Sequence, residues 1–346
     1  GNNILSVYDT VKGVREYCIR NRKPYLIECA TFRMRGHEEA SGTKYVPSYL
    51  FDVWELKDPI KNFEKHLLST GILTDEQVEI IRQDIQEYIE IELSIGMEAG
   101  PIVVNTTEEL EDVYAPFQYG QVTRVIDNTT PSRFSSAAST DTTEKRFIDA
   151  IREGLQQSMQ QHSNLVLMGQ DIAEYGGVFK ITEGFVEVFG KARVRNTPLC
   201  ESAIIGAGLG LSLKGFKSMV EMQFADFVTE GFNQIVNNLA KIHYRWGQNA
   251  DVVVRMPCGA GVGAGPFHSQ SNEAWFVHTP GLKVVYPSSP MDAKGLLIAA
   301  INDPNPVLFF EHKALYRSIS GPVPADYMKL KSAKRVLCVM AMNCLS

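Results

Sequence analysis

The sequence predicts an α/β protein built as two modules with mainly parallel sheets. Three observations point there. Helix patterns followed by short strand patterns recur along the chain. The strand candidates are largely apolar throughout, as in parallel strands covered on both faces. A polar run rich in Ser and Thr, QYGQVTRVIDNTTPSRFSSAASTDTT at 118–143, separates two stretches that do not resemble each other, as a tether between modules does. The 346 residues fit about two domains.

In the first module, Gly1 to Val7 reads as a strand. Residues 9–20 show helical spacing at Val11, Val14, Tyr17 and Cys18, with Asp9 as an N-cap. YLIECA (25–30), introduced by Pro24, reads as a strand. Residues 75–93 form a long helix with Val78, Ile81, Ile85 and Ile89 on one face, a packing stripe. In the second module, residues 144–160 are amphipathic, with Phe147, Ile148, Ile151, Leu155 and Met159 on one face. A strand follows at 165–168, then a Gly-rich turn at Tyr175–Phe179. The rhythm repeats with a helix at 231–244 before a strand at 252–255, and with a helix at 292–301 before a strand at 307–311. A further strand at 218–221 leads into MQFADF.

Composition narrows the function classes. The net charge of −6, with no basic block, argues against a general nucleic-acid binder. No apolar run reaches membrane-spanning length, and the first residues have neither a basic nor an apolar segment of a signal peptide. The six cysteines are scattered without a CxxC pair, which reads as reduced thiols in a cytosolic protein. Both ends read as cut: the apolar run at 336–342 is a strand with nothing after it, whose backbone would lack a partner. A fragment of a longer polypeptide is expected.

Four places hold candidate chemistry. The strand at 25–30 runs into TFRMRGHEE, where ligands sit in open α/β sheets; two arginines and His37 suit a phosphate or carboxylate, though a solvated basic turn fits as well. HExxH is excluded, because Ser41 stands where the second histidine is needed. NTPLCES (196–202) places Glu201 before a helix of small residues, IIGAGLGL. A carboxylate in such close-packed surroundings suits proton transfer, while a glutamate pairing with a helix N-terminus is the plainer alternative. That run lacks GxGxxG spacing, and close helix packing explains it better. Phe224 and Phe227 are either core or a stacking surface for an aromatic ring. In GAGVGAGPFHSQS (259–271), four alternating glycines precede His268, allowing close backbone approach or mobility beside it. There is neither a Walker A lysine nor the serine of GxSxG.

Taken in order, NTPLCES, EMQFADF, AKIHYRWG, HSQSNEAWFVHTPGLKVVYPSSPMDAKGLL and FFEHKALYR resemble the β subunit of thiamine-diphosphate-dependent 2-oxoacid dehydrogenases, the E1 component. The likeness covers about residues 144–325. YLIECATFRMRGH resembles the C-terminal part of the E1 α subunit. The chain is thus similar to a fused α–β E1, with two domains of the thiamine-diphosphate-binding fold, the first incomplete. The implied division is an α-like domain at 1–117, the linker at 118–143, a pyrimidine-binding domain at 144–325, and at 326–346 the lead-in to a truncated C-terminal domain.

The resemblance implies roles. Glu201 matches the glutamate that hydrogen-bonds N1′ of the aminopyrimidine. Leu199, Gln223 and Phe227 match the pyrimidine pocket. His268 matches the β-subunit histidine that assists acylation of the lipoyl group, and His37 the α-subunit histidine near the cofactor phosphates and substrate. Ala300, Asp303 and Asn305 match a potassium site at which carbonyls dominate. Cofactor sites in the family form where an α-type domain meets a β-type domain. Three departures stand out. The GDG…N segment that holds Mg²⁺ and the diphosphate falls upstream of Gly1. Gln170 stands where many members carry a relay glutamate. Glu38 replaces a phosphorylatable serine, so kinase control there is not expected.

The implied activity is oxidative decarboxylation of a 2-oxoacid, branched-chain favoured and pyruvate the alternative, with reductive acylation of a lipoyl group on an E2 partner. A catalytically incomplete association fragment is the other alternative. A homo-oligomer in the bacterial cytoplasm, without nucleic-acid or membrane partners, is expected.

Overall fold

A computed structural model describes residues 1–36, 42–44, 46–116 and 142–327. The chain divides into two compact units, residues 1–103 and 104–346, and each is described by itself. Residues 104–116, which the sequence reading put with the first module, belong to the second: Ala115 is buried and exchanges two hydrogen bonds with the Asn305 side chain, and Tyr114 Oη donates to the Leu282 carbonyl.

The first unit departs from its expected strands. The segment expected to open as a strand is helix α1 (Ile4–Asn21), whose N-cap is Asn3, with its side chain accepting from the Ser6 amide. Asp9 therefore lies inside the helix and caps nothing. The physical reason is local: Asn3 satisfies a free amide of the first turn, and no described strand stands beside residues 1–7 to pair with them. Residues 25–30 likewise join no ladder; Phe32 just beyond them stacks on Trp54 at 5.9 Å and meets Phe51 edge-on at 5.4 Å, both in α2 (Ser48–Glu55). Helix α3 (Pro59–Ser69) starts on an Asp58 cap to two amides, with proline at its first position. The expected long helix is α4 (Asp75–Glu98), opened by a reciprocal capping box between Thr74 and Gln77. None of its residues is buried; Ile81, Ile85 and Ile89 lie exposed, and only the start of the expected stripe, at the half-buried Val78, meets Phe63 and Leu67 of α3.

The second unit opens with α5 (Thr106–Glu111) and β1 (Thr142–Arg146), which pairs antiparallel with the last strand, β8 (Ser320–Pro324). Residues 142–143 thus leave the linker and 144–146 leave the expected helix, which begins as α6 (Phe147–Gln161). Between them come β2 (Leu165–Gly169), α7 (Phe185–Phe189), β3 (Val194–Asn196), α8 (Glu201–Ser212), β4 (Lys217–Glu221), α9 (Ile242–Trp246), β5 (Val252–Cys258), α10 (Ala274–Val277), β6 (Lys283–Val285), α11 (Pro290–Asn302), β7 (Val307–His312) and α12 (Leu315–Ser318). The six strands β3-β2-β4-β5-β7-β6 form one parallel sheet.

Side chains alternate between two cores. Leu165, Leu167, Met219, Val253, Val307 and Phe309 face α6 and α11, where all five predicted α6 residues are buried. Val166, Met168, Val220, Val252, Val254, Leu308 and Phe310 face the other way, toward Ile204 and Ile205 of α8. Two-sided burial explains why these strands read as continuous apolar runs. The helix expected at 231–244 is broken instead into a 3-10 turn (Ala225–Gly231), a π-helix (Gln234–Leu239) and α9. A Cβ on Gly231 would strike Ile205, so α8 presses directly on this stretch. The small-residue run of α8 does what its composition suggests: Gly208 lies against Ser218, Val220 and Val252 of the sheet. Because every strand of the sheet runs the same way, the carboxyl ends of β2, β4, β5 and β7 open on one edge.

Candidate active site

Glu201 is the first residue of α8, on the edge where the strands end. A carboxylate there faces the free amides of the first turn, which favour negative charge. Gln170, the residue after β2, is buried and donates from Nε2 to Glu201 Oε1 at 3.0 Å. Its own Oε1 is buried without a partner among the described residues. Among the described residues, this neutral donor is what orients the carboxylate. Gln223 donates weakly to Asp171 at 3.4 Å, and Leu199 stands 81% exposed on the loop before α8.

Phe224 and Phe227 both pack against the imidazole of His268. Phe224 meets it edge-on with centroids 4.7 Å apart, Phe227 at 5.5 Å. The two phenylalanines touch each other, and Phe179 from the Gly-rich turn backs Phe224 at 5.7 Å. The imidazole Nδ1 is buried without a partner among the described residues. The glycine run before it uses its conformational freedom throughout: Gly259, Gly261, Gly263 and Gly265 all have positive φ, from 68° to 126°, a region costly for residues with a Cβ. At Gly259 closeness adds to this, because a Cβ would run into the His312 ring.

Beneath this edge lies a charged cluster that motif reading did not assign. Arg255 of β5 is buried, paired with Glu221 of β4 and, through Nε and Nη2, with both oxygens of Glu311 of β7 at 2.5 and 2.6 Å. Tyr316 Oη donates to Glu311 at 2.6 Å. Burial works against the Arg255 charge, but Glu311 and Glu221 outweigh it and hold its pKa up; burial pushes Glu221 and Tyr316 up. A signal was present in the sequence: single charges interrupt the apolar strands VVVRMP and LFFEH. Cys258 at the end of β5 is pushed up to about 11 by burial, although the Tyr286 hydroxyl lies 3.1 Å away, so it is no thiolate. Lys313, after β7, has its Nζ 5.3 Å from the Phe224 ring and no hydrogen-bond partner among the described residues; burial lowers its pKa.

At the expected potassium position, Asp303 Oδ2 binds the Lys283 ammonium at 2.7 Å. Its Oδ1 accepts from the Asn305 amide and side chain, and Asn305 Oδ1 accepts from the Ala115 amide. These side-chain oxygens are already engaged, and the Ala300 carbonyl accepts from the Asp303 amide. His37, Glu38 and the run at 336–342 lie outside the described residues, as does the linker up to residue 141. The structure thus groups His268 with Phe224 and Phe227, joins Glu201 to Gln170, and sets Asp303 and Asn305 in a separate polar knot.

The parallel sheet thus gathers a carboxylate at a helix start, glycine turns and an aromatic-flanked histidine on one edge, where open α/β sheets take their ligands. The family profile described as transketolase, pyrimidine binding domain, matches residues 144–318, and that for the dehydrogenase E1 component matches residues 1–100. The chain belongs to the transketolase pyrimidine-binding domain family. The E1-component match precedes the pyrimidine-binding match along the chain, and the two together are consistent with an E1 component of a thiamine-diphosphate-dependent 2-oxoacid dehydrogenase. Among its relatives is the 2-oxoisovalerate dehydrogenase subunit beta of Bacillus subtilis, 51% identical over 182 residues, covering 52% of this chain and 56% of the relative. The mitochondrial 2-oxoisovalerate dehydrogenase subunit beta of Dictyostelium discoideum is 45% identical over 205 residues (57% and 55%). The pyruvate dehydrogenase E1 component subunit beta of Bacillus subtilis is 42% identical over 190 residues (54% and 58%). The chain spans about half the length of the curated relatives it matches. Among the described residues, no helix is long and apolar enough to cross a membrane.

Proposed function

We propose that this chain supplies the pyrimidine-binding half of an E1 enzyme that oxidatively decarboxylates a 2-oxoacid and passes the acyl group to a lipoyl group on an E2 partner. One observation carries the reading: a helix-start carboxylate, Glu201, oriented by Gln170. That arrangement suits a ring nitrogen that must gain and lose a proton. The residues fit the cofactor: Leu199 and Phe227 offer apolar surface, Gln223 a polar handle, and Glu201 the proton partner. Thiamine diphosphate, when bound, supplies the electron sink for decarboxylation. Glu201 would meet the pyrimidine ring of the bound cofactor, and His268 would serve the acylation step. His37 is assigned to the phosphates and substrate. A potassium ion near Ala300, Asp303 and Asn305 would rest on carbonyls, since the side-chain oxygens have protein donors.

Branched-chain 2-oxoacids are favoured over pyruvate because identity is higher to the 2-oxoisovalerate relatives than to the pyruvate ones. A homo-oligomer and a bacterial cytoplasmic location belong to the same reading. The test is Glu201→Gln in the intact protein, assayed with branched 2-oxoacids and pyruvate. Decarboxylation is expected to fall ~10²–10⁴-fold. Normal turnover overturns the role of Glu201, and preference for pyruvate overturns the substrate class.

A further inference from the structure

The loop carrying His268 is anchored from one side by a single buried carboxylate. Asp226 lies in the 3-10 turn after β4 and is 6% exposed. Its Oδ1 accepts from the amides of both Ser269 and Gln270 at 3.2 Å, the two residues directly after His268. Next to it, the Ala225 carbonyl accepts from the buried Asn272 side chain at 2.8 Å. Two consecutive residues of one turn therefore hold residues 269–272. Upstream of His268 the chain is the glycine run, whose four positive-φ residues offer no side chain for the purpose. The phenylalanines that bracket the imidazole, Phe224 and Phe227, come from the same turn as Asp226. The turn thus grips both the ring and the backbone that carries it.

We propose that Asp226 is a positioning residue for His268: its carboxylate fixes the following backbone so that the imidazole stays between Phe224 and Phe227. The chemistry suits the task, because a carboxyl oxygen has lone pairs enough to accept two amides at once, and in a buried setting those bonds are strengthened. A histidine that acts in one step needs its ring held in place, and small misplacements are costly. The inference rests on the reading of His268 as the residue that assists acyl transfer.

Variants of the intact protein test it. In Asp226→Ala, amide hydrogen exchange at Ser269 and Gln270 is expected to quicken about tenfold or more. Acyl transfer to a lipoyl acceptor is expected to fall about tenfold or more. Asp226→Asn, which keeps an acceptor oxygen in place, is expected to restore both to within about threefold. Adding Asp226→Ala to His268→Ala is expected to cost nothing further, since Asp226 acts only through His268. Should the alanine variant fail to fold, Asp226→Ser, whose oxygen is too short to reach both amides, takes its place. Unchanged exchange, failure of asparagine to rescue, or additive losses in the double variant overturn the role of Asp226. A His268→Ala variant with unimpaired acyl transfer removes the underlying reading instead, and is distinguished by that single measurement.

Discussion

Residue by residue, environment decides what each ionisable group does. Glu201 and Glu221 are both glutamates at strand or helix ends, yet one has a neutral donor and the other is sunk against Arg255. The first is engaged by Gln170 at the edge of the sheet, while the second is structural. His162, at the end of α6, shows the same control away from the site. Burial, with the Lys217 ammonium adding to it, lowers its pKa from 6.5 to about 4. The unfolded chain takes up that proton near pH 6.5 and the folded one only near 4. Stability is therefore full above about pH 6.5 and declines as the pH falls toward 4. Urea denaturation at about pH 7.5 and about pH 5 should show His162→Gln losing less stability on acidification than the parent.

Elements set where those residues stand. Helix α6 is amphipathic in sequence and buried along that face in the structure, so Leu155→Ala should destabilise the second unit by about 2–5 kcal/mol in chemical denaturation. The turn at Gly259 holds the start of the His268 loop at positive φ against His312. Gly259→Ala meets both the backbone penalty of about 1–2 kcal/mol and a side-chain collision. It should lower stability by at least that penalty and loosen the loop, visible as faster amide exchange over residues 259–272. Some elements were legible and others not. The glycine run announced its turns, since glycine alone adopts positive φ freely. Residues 1–7 and 25–30 look like strands by composition, but a strand exists only where a neighbour completes its hydrogen bonds. Among the described residues of the first unit none does.

Across the whole second unit, the Arg255 cluster ties β4, β5 and β7 together below the site. Removing the cation strands two buried carboxylates, so Arg255→Met should destabilise by about 3–5 kcal/mol in denaturant titration. Replacing Arg255, Glu221 and Glu311 together with apolar residues of similar volume should cost much less, because no charge is left uncompensated. The cluster was half visible beforehand, as lone charges in apolar strands. Which charges would meet could not be read, because strand order places β4 beside β5 and β5 beside β7 across many intervening residues.

By itself the sequence determined the parallel α/β class of residues 144–325, the buried face of α6, the freedom of the glycine turns, and the residues that carry the likeness to E1 enzymes. Those follow from periodicity, side-chain volume and local backbone chemistry, which neighbours in the chain settle among themselves. Only the tertiary structure decided that Gln170 holds Glu201, that Asp226 anchors the loop behind His268, and that Phe224 and Phe227 close on its ring. Each of these joins segments whose meeting depends on the crossover connections and strand order of the sheet, and no local pattern encodes that.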